Sequence, residues 1–83
     1  MTVEQFNNVK NQFILTDNDG NRYFQSYDVI IAMRTYDGKL VFDENYWDYS
    51  RTTSKHRNIF TGLTTKETKK AIKNGDIILG NLN

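Results

Sequence analysis

Two turn signals in the first half of the chain constrain its fold more strongly than any other feature of the sequence. Residues 17–21 read DNDGN and residues 36–38 read YDG. Asn, Asp and Gly accept positive φ at low cost, and Asp-Gly between β-type segments is a strong hairpin signal. The turns are flanked by segments of β-type composition: 12–16 and 22–25 around the first, 29–35 and 39–43 around the second. The pattern predicts two β-hairpins.

A change of periodicity after Trp47 marks the start of a helical region. Thr52 or Thr53 can cap a short helix over about residues 54–60, because a side-chain hydroxyl accepts a hydrogen bond from a free N–H of the first turn. Gly62 can end this helix, since glycine adopts the left-handed conformation common at helix C-termini. The sequence therefore predicts a first helix over about residues 54–60, in the second half of the chain.

A capping box predicts a second helix. Thr64 and Glu67 fit the pattern S/T-x-x-E, which would start a helix over about residues 65–73. Residues 77–79 then have the composition of a last short strand. Before the first hairpin, residues 3–9 predict at most a helical turn.

The order of these elements predicts a single α+β domain over residues 1–83: a small antiparallel sheet from two β-hairpins, two short helices and a final short strand. With 83 residues the chain has no room for a second core. Five Phe, five Tyr and one Trp concentrate the apolar area in few positions. A core of this size is expected to contribute only about 3–5 kcal/mol, so a homo-oligomer would help to stabilise it.

The composition argues against several kinds of site. Without cysteine, the chain can form neither disulfides nor thiolate metal sites. His56 is the only histidine and no nucleophile motif accompanies it, so we expect neither an enzyme nor a cofactor. The stretch Asp17–Gly20 is similar to the start of a calcium loop, but its glycine stands fourth where that loop needs it sixth. We expect a turn there and no metal.

No segment predicts targeting or membrane insertion. The longest apolar run, Val29–Met33, is far too short to cross a bilayer. The N-terminal stretch MTVEQFNNVKNQF has neither the basic start nor the apolar run of a signal peptide. We therefore expect a cytoplasmic protein with no membrane partner.

The charges of the chain are unevenly distributed. Seven of its eleven basic residues fall between Arg51 and Lys73, where Glu67 is the only acid, so this segment carries +6. The other 60 residues hold four basic and nine acidic side chains, a net charge of −5. The total of +1 therefore hides a strongly dipolar chain. Such asymmetry favours an interaction surface for phosphate-rich or acidic partners.

The basic segment predicts binding to the phosphate backbone of DNA or RNA, which is largely independent of sequence. Close phosphate contacts are assigned to Arg51, Lys55 and Arg57, and hydroxyl donors to Thr52, Thr53 and Ser54. A longer-range positive field is assigned to Lys66, Lys69, Lys70 and Lys73, whose spacings of three and four place them on one helix face. Tyr49 or Tyr46 can stack on bases.

More ordinary interpretations compete with each of these assignments. A stripe of lysines is also typical of a solvated helix face. The rings of Tyr46, Trp47 and Tyr49 can instead anchor a small core. His56 lies three and four residues before Ile59 and Phe60, which favours a place at the edge of that core.

Several segments together resemble a family of small uncharacterised proteins of bacteriophages, prophages and mobile elements of Gram-positive bacteria. The segments are 23–27, 31–32, 46–58, 68–75 and the terminal Leu82-Asn83, and the resemblance covers residues from about 13 to 83. The most specific stretch is WDYSRTTSKHRN, which fits W-D-Y-S-x-T-T-x-K-x-R-N. The family commonly has Tyr at the position of His56 and Leu at that of Thr61. The resemblance implies a phage-type accessory protein that acts by binding in the cytoplasm of a bacterial host.

The same resemblance implies a second class of function, a stoichiometric protein inhibitor of a host defence nuclease such as a CRISPR effector or a restriction enzyme. The basic segment would then dock on an acidic protein surface or on a ribonucleoprotein. Alternatively, Asp43, Glu44 and Asp48 would mimic DNA phosphates towards a basic cleft. An inhibitor of either kind would not bind free nucleic acid and would associate with a defined host protein.

Overall fold

In the computed structural model, which describes residues 1–83, a single sheet of six strands is accompanied by two α-helices. The strands are β1 (Thr2–Gln5), β2 (Gln12–Thr16), β3 (Arg22–Ser26), β4 (Val29–Arg34), β5 (Leu40–Asp43) and β6 (Ile77–Gly80). The helices are α1 (Arg51–Thr61) and α2 (Thr65–Asn74), and a 3-10 turn covers Phe6–Asn8. The predicted α+β fold with two hairpins, two helices and a last strand is confirmed.

The strands lie in the sheet in the order of the chain, from β1 to β6. Each pair from β1 to β5 is antiparallel, whereas β6 runs parallel to β5. A parallel neighbour needs a long crossover, and α1 and α2 supply it. The sheet is therefore mixed, and β1 adds an edge strand where the sequence predicted at most a helical turn. Asn7 and Asn8, with φ of 54° and 55°, turn the chain from β1 towards β2.

The residue types in the two hairpin turns explain why these turns form. Gly20 and Gly38 have φ of 87° and 90°, which a residue with a Cβ adopts only under strain. In the first turn the carboxylate of Asp17 accepts hydrogen bonds from the backbone N–H of Asp19 and Asn21, at 2.9 and 3.0 Å. The predicted turn chemistry is therefore present at both turns.

The hydrophobic core lies between one face of the sheet and the helices. Ile14, Phe24, Ala32 and Phe42 are cross-strand neighbours on this face, and all are buried. Phe24 stacks on Phe60 of α1 with 5.9 Å between the ring centroids. We call this side of the sheet the helix face and the opposite side the open face.

Polar contacts fix both ends of α1 on the sheet. Near its start, the hydroxyls of Thr53 and Ser26 lie 3.1 Å apart and are buried. At its end, the guanidinium of Arg34 donates to the carbonyl of Thr61 at 3.1 Å and lies over the ring of Phe60. These two anchors determine which side of α1 faces the sheet and which faces solvent.

The carboxylate of Asp43 joins the C-terminal tail to the end of β5. Its Oδ1 accepts from the N–H of Leu82 and the side-chain amide of Asn83, at 2.9 and 3.0 Å. Its Oδ2 accepts from the N–H groups of Asn45 and Tyr46, at 3.0 and 3.1 Å. Asp43 is only 1% exposed. The carboxylate itself is therefore shielded from water, and leaving its four donors without their acceptor is costly.

Candidate nucleic-acid interface

Six basic side chains on the two helices are exposed and free of ion pairs. They are Arg51 and Lys55 on α1 and Lys66, Lys69, Lys70 and Lys73 on α2, and we call them the helix cations. The two salt bridges of the protein, Lys39–Asp37 and Arg57–Asp48, involve none of them. The helix cations therefore present positive charge that no acidic side chain of the protein offsets by direct contact.

Glu67 is the only acidic residue of the two helices, and it is engaged at the N-terminus of α2. Its carboxylate accepts from the N–H of Thr64 at 3.0 Å, and the Thr64 hydroxyl accepts from the N–H of Glu67 at 3.1 Å. The hydrogen bonds from Thr64 lower the pKa of Glu67 below its usual value. The predicted capping box is confirmed, and it orients this acid towards the helix end.

The first helix starts earlier than predicted, because Ser50 is its N-cap. The Ser50 hydroxyl accepts from the N–H of Thr53 at 3.1 Å, so the helix begins at Arg51. The prediction of Thr52 or Thr53 as the cap was wrong. No acidic residue lies within the first turn, but the carboxylate of Asp48, just before the helix, accepts from Ser54 Oγ at 3.2 Å.

Replacing Ser50 with alanine is expected to lower the free energy of unfolding by about 1 kcal/mol, the usual cost of losing an N-cap hydroxyl. Thr52→Ala is the matched control, since Thr52 is exposed and makes no side-chain hydrogen bond. It should change stability by less than about 0.5 kcal/mol. Urea unfolding measures both variants, and equal losses would contradict the assignment of the cap to Ser50.

Arg57 does not belong to the surface, and its assignment as a phosphate contact was wrong. The residue has no solvent exposure. Its guanidinium donates to the carbonyl of Trp47, to Ser54 Oγ at 3.4 Å and to Asn58 Oδ1 at 2.9 Å. It also lies over the rings of Trp47 and Phe42, 5.4 and 5.9 Å from their centroids. Arg57 is therefore a structural cation that holds the 47–58 segment against the sheet.

Two of the predicted hydroxyl donors are engaged inside the protein. Thr53 is buried and its hydroxyl contacts that of Ser26, so its assignment as a phosphate donor was wrong. Ser54 is half-buried and donates to the carboxylate of Asp48 at 3.2 Å. Only Thr52 retains an exposed hydroxyl without a partner on this turn. The reason is the helix register, which turns residues 53 and 57 towards the sheet.

The two tyrosines proposed for stacking have different environments. Tyr46 is half-buried and packs against the core, whereas Tyr49 is exposed. Their rings meet edge to face at 5.7 Å. Trp47 packs against the core, and its ring centroid lies 6.4 Å from that of Phe42. Tyr49 is therefore the ring available to a partner, one residue before the N-cap of α1.

His56 packs at the edge of the core, as the spacing of residues 56, 59 and 60 indicated. It is buried and meets the ring of Phe6 edge to face at 6.4 Å. Burial, with the charge of Lys55 as a smaller cause, lowers the pKa of His56 below its usual value. The imidazole is therefore neutral at neutral pH and adds nothing to the positive surface.

One of the three acidic residues that would mimic DNA phosphates is buried. Asp43 is buried and accepts four hydrogen bonds, so it cannot present a charge to a basic cleft. Glu44 is exposed, and Asp48 is exposed but contacts Ser54 and the guanidinium of Arg57. The DNA-mimic version of the inhibitor hypothesis therefore rests on fewer charges than the sequence indicated.

The surface has no ligand-sized pocket, and no three acidic or histidine side chains lie close enough to hold a metal ion. Neither helix is both long and apolar enough to cross a membrane.

Comparison with known proteins places the chain in a family. No curated protein and no solved structure matches it. A family model described as a family of unknown function, DUF8033, matches residues 1–77. That span contains β1 to β5, both helices and the first residue of β6. The chain therefore belongs to DUF8033, a family of unknown function.

Proposed function

We propose that this protein binds the phosphate backbone of nucleic acid through the helix cations. The observation that carries this proposal is the exposure of six basic side chains, none of them in an ion pair. Unpaired cations on a protein surface attract phosphates and release the counterions condensed on them, which drives binding without reading the bases.

The proposed contacts differ from those that the sequence indicated. Arg51 and Lys55 lie one helical turn apart at the exposed start of α1, so their side chains are neighbours on the helix surface. The hydroxyl of Thr52 is free on the same turn. Tyr49 stands exposed just before this turn, where it can stack on an unpaired base. The four lysines of α2 supply the remaining field.

The test is a fluorescence anisotropy titration of labelled single- and double-stranded oligonucleotides between about 50 and 200 mM salt. We expect binding that weakens linearly in a log–log plot, with a slope no steeper than about −5 if all six helix cations contact duplex phosphates. Lys55→Ala/Lys69→Ala should weaken binding and reduce the magnitude of the slope by about two.

The matched control for this double variant is Lys10→Ala/Lys39→Ala. Both of these lysines are exposed and lie outside the helices, so the control removes the same total charge. It should leave the slope unchanged. The proposal fails if neither oligonucleotide binds at the lowest salt, or if the two double variants weaken binding equally.

The family resemblance supports a finer proposal, that the protein acts as a phage-type accessory protein in the cytoplasm of a bacterial host. In the alternative function, inhibition of a host defence nuclease, the helix cations would contact an acidic protein surface or a ribonucleoprotein. A purified CRISPR effector or restriction enzyme, assayed with and without the protein, separates the two functions. An inhibitor would block cleavage at a one-to-one ratio while showing no affinity for free oligonucleotides.

A further inference from the structure

The open face of the sheet carries an unbroken row of uncharged side chains, one from each strand. Cross-strand pairing connects them in the order Val3, Leu15, Tyr23, Met33, Val41 and Ile78. Residues directly opposite each other in a sheet point to the same side, so all six lie on one face. We call them the open-face row.

Nothing in the protein covers the open-face row. None of its members belongs to the hydrophobic core or packs against it. Val3 and Ile78, on the two edge strands, are 63% and 55% exposed. The four residues between them are half-buried. An apolar surface that crosses a whole sheet is unusual for a monomer and typically marks an interface.

The open-face row is uncharged, but two charged side chains lie at its margin: Asp17, which accepts from the hydroxyl of Tyr23 at 2.9 Å, and Lys39, whose alternation with Leu40 places it on the same side as Val41. The adjacent row of Gln5, Phe13, Gln25 and Ile30 is uncharged as well. Within the strands, Asp43 is the only charged residue whose alternation places it on this side, and it is buried. The helix face, by contrast, includes Glu4, Arg22 and Arg34 at its margins. The two faces therefore differ in the charge of their strand residues.

We propose that two copies of this chain pack face to face through the open-face row. A surface can pair with its own copy only if no like charges meet, and the two charged residues at the margin of this one, Asp17 and Lys39, have opposite signs. Consider a two-fold axis that lies between the two sheets, runs parallel to the strands and passes midway between β3 and β4. It would place Tyr23 opposite Met33 of the partner subunit. The same axis would bring Leu15 to the partner's Val41, and Val3 to the partner's Ile78. Each member of the row thus meets an uncharged residue.

The rest of the charge distribution favours a second copy over an unrelated basic or acidic partner. The helix cations lie on the elements that pack against the other side of the sheet, so pairing of the open faces keeps the two positive surfaces apart. Six strands spaced about 4.8 Å apart give the face a width of about 24 Å between its two edge strands. Only seven hydrophobic residues are buried within one copy, so the added burial would matter for stability.

Sedimentation equilibrium of the full chain over a wide concentration range tests the proposal. We expect a species of twice the 9.7 kDa chain mass that dissociates on dilution. Met33→Lys places an unpaired charge at the centre of the interface and should raise the dimer dissociation constant about a hundred-fold or more. Ile59→Lys is the matched control, because Ile59 is 49% exposed on α1 and lies outside the open face. It should leave the dimer intact.

Far-UV circular dichroism establishes whether each variant folds. If Met33→Lys fails to fold, Val3→Lys/Ile78→Lys replaces it, since both positions are exposed in the single copy and tolerate a charge there. A wild-type chain that stays at 9.7 kDa at every concentration would overturn the proposal. A dimer that survives the lysine substitutions of the open-face row would overturn it as well.

Discussion

Replacing Arg57 with alanine is expected to lower the free energy of unfolding by about 3 kcal/mol or more. The side chain is fully buried, donates to three acceptors and lies over the rings of Trp47 and Phe42. Its removal leaves the carbonyl of Trp47 without a partner and opens a gap beside two rings. A domain of this size has only about 3–5 kcal/mol to lose, so much of the variant should be unfolded. Urea and thermal unfolding followed by circular dichroism measure the effect.

Two further substitutions separate the role of Arg57 from its charge. Arg57→Lys keeps the charge but loses the planar arrangement of donors, so we expect most of the destabilisation to remain. Arg51→Ala removes the same charge from an exposed position of the same helix and should cost less than about 0.5 kcal/mol. If Arg57→Ala proves as stable as Arg51→Ala, the structural role assigned to Arg57 is wrong.

Replacing Asp43 with alanine is expected to cost about 3 kcal/mol, because four donors lose the acceptor that satisfies them. The Leu82 amide should lose its protection at the same time, since it donates to this carboxylate, whereas Asn83 keeps two hydrogen bonds to Ile30. Hydrogen exchange of the Leu82 amide measures that loss directly. Glu44→Ala, at an exposed neighbouring position, is the matched control and should change neither stability nor exchange. A Leu82 amide that exchanges as slowly in Asp43→Ala as in the wild type would contradict the role assigned to Asp43.

The same carboxylate makes stability dependent on pH. Burial alone would raise the pKa of Asp43, but hydrogen bonds from Leu82, Asn83, Asn45 and Tyr46 outweigh it and lower the pKa. The contribution of Asp43 is therefore present above the unfolded pKa of about 3.9 and is lost as the pH falls through the lower folded value. The stability difference between wild type and Asp43→Asn should accordingly shrink on acidification. Urea unfolding at neutral and at strongly acidic pH measures it.

The elements that could be predicted from the sequence are those whose signals are local. The hairpin turns follow from the side chain of Asp17 and from the positive φ of Gly20 and Gly38. The second helix follows from the reciprocal hydrogen bonds of Thr64 and Glu67. In each case the residues that decide the conformation stand within four positions of one another, so the sequence alone contains the cause.

The features that the sequence did not predict depend on distant contacts. Strand β1 is exposed throughout and gains its conformation by pairing with β2, so its own composition gives little signal. The side-chain amide of Asn83 pairs with both backbone groups of Ile30, a contact across 53 positions. No local pattern predicts such a contact, because Ile30 lies in β4 whereas Asn83 follows β6.

The spacing of residues along α1 indicates that Arg57 is buried, but counting Arg57 among the basic residues of the segment obscured this pattern. Thr53, Arg57 and Phe60 are spaced by four and three along α1, and all three are buried on one side of the helix. An arginine on the apolar stripe of a helix is expected to be paired inside the protein. Its acceptor at Trp47 and its ion pair with Asp48 also lie in the stretch WDYSRTTSKHRN. The stretch that carries the family resemblance therefore contains much of the local framework around this buried cation.

The proposed nucleic-acid interface and the proposed dimer interface lie on opposite sides of the molecule, so either proposal can fail without the other. The helix cations lie on α1 and α2, whereas the open-face row lies on the side of the sheet that these helices do not cover. In the proposed dimer, each subunit would present its helices outward and contact nucleic acid separately. Loss of the dimer should therefore weaken binding to long duplexes, which engage both subunits, more than binding to short ones.

An NMR titration of the isotopically labelled protein with a short duplex tests the central claim most directly, because it locates the contact residue by residue. We expect the amide shifts to change at 50–55 in α1 and at 66–73 in α2, while those of the open-face row stay in place. Arg57 Nε–H should remain protected throughout, since its side chain is buried in the protein. Shifts confined to the sheet, or no shifts at low salt, would contradict the assignment of the helix cations as the nucleic-acid interface.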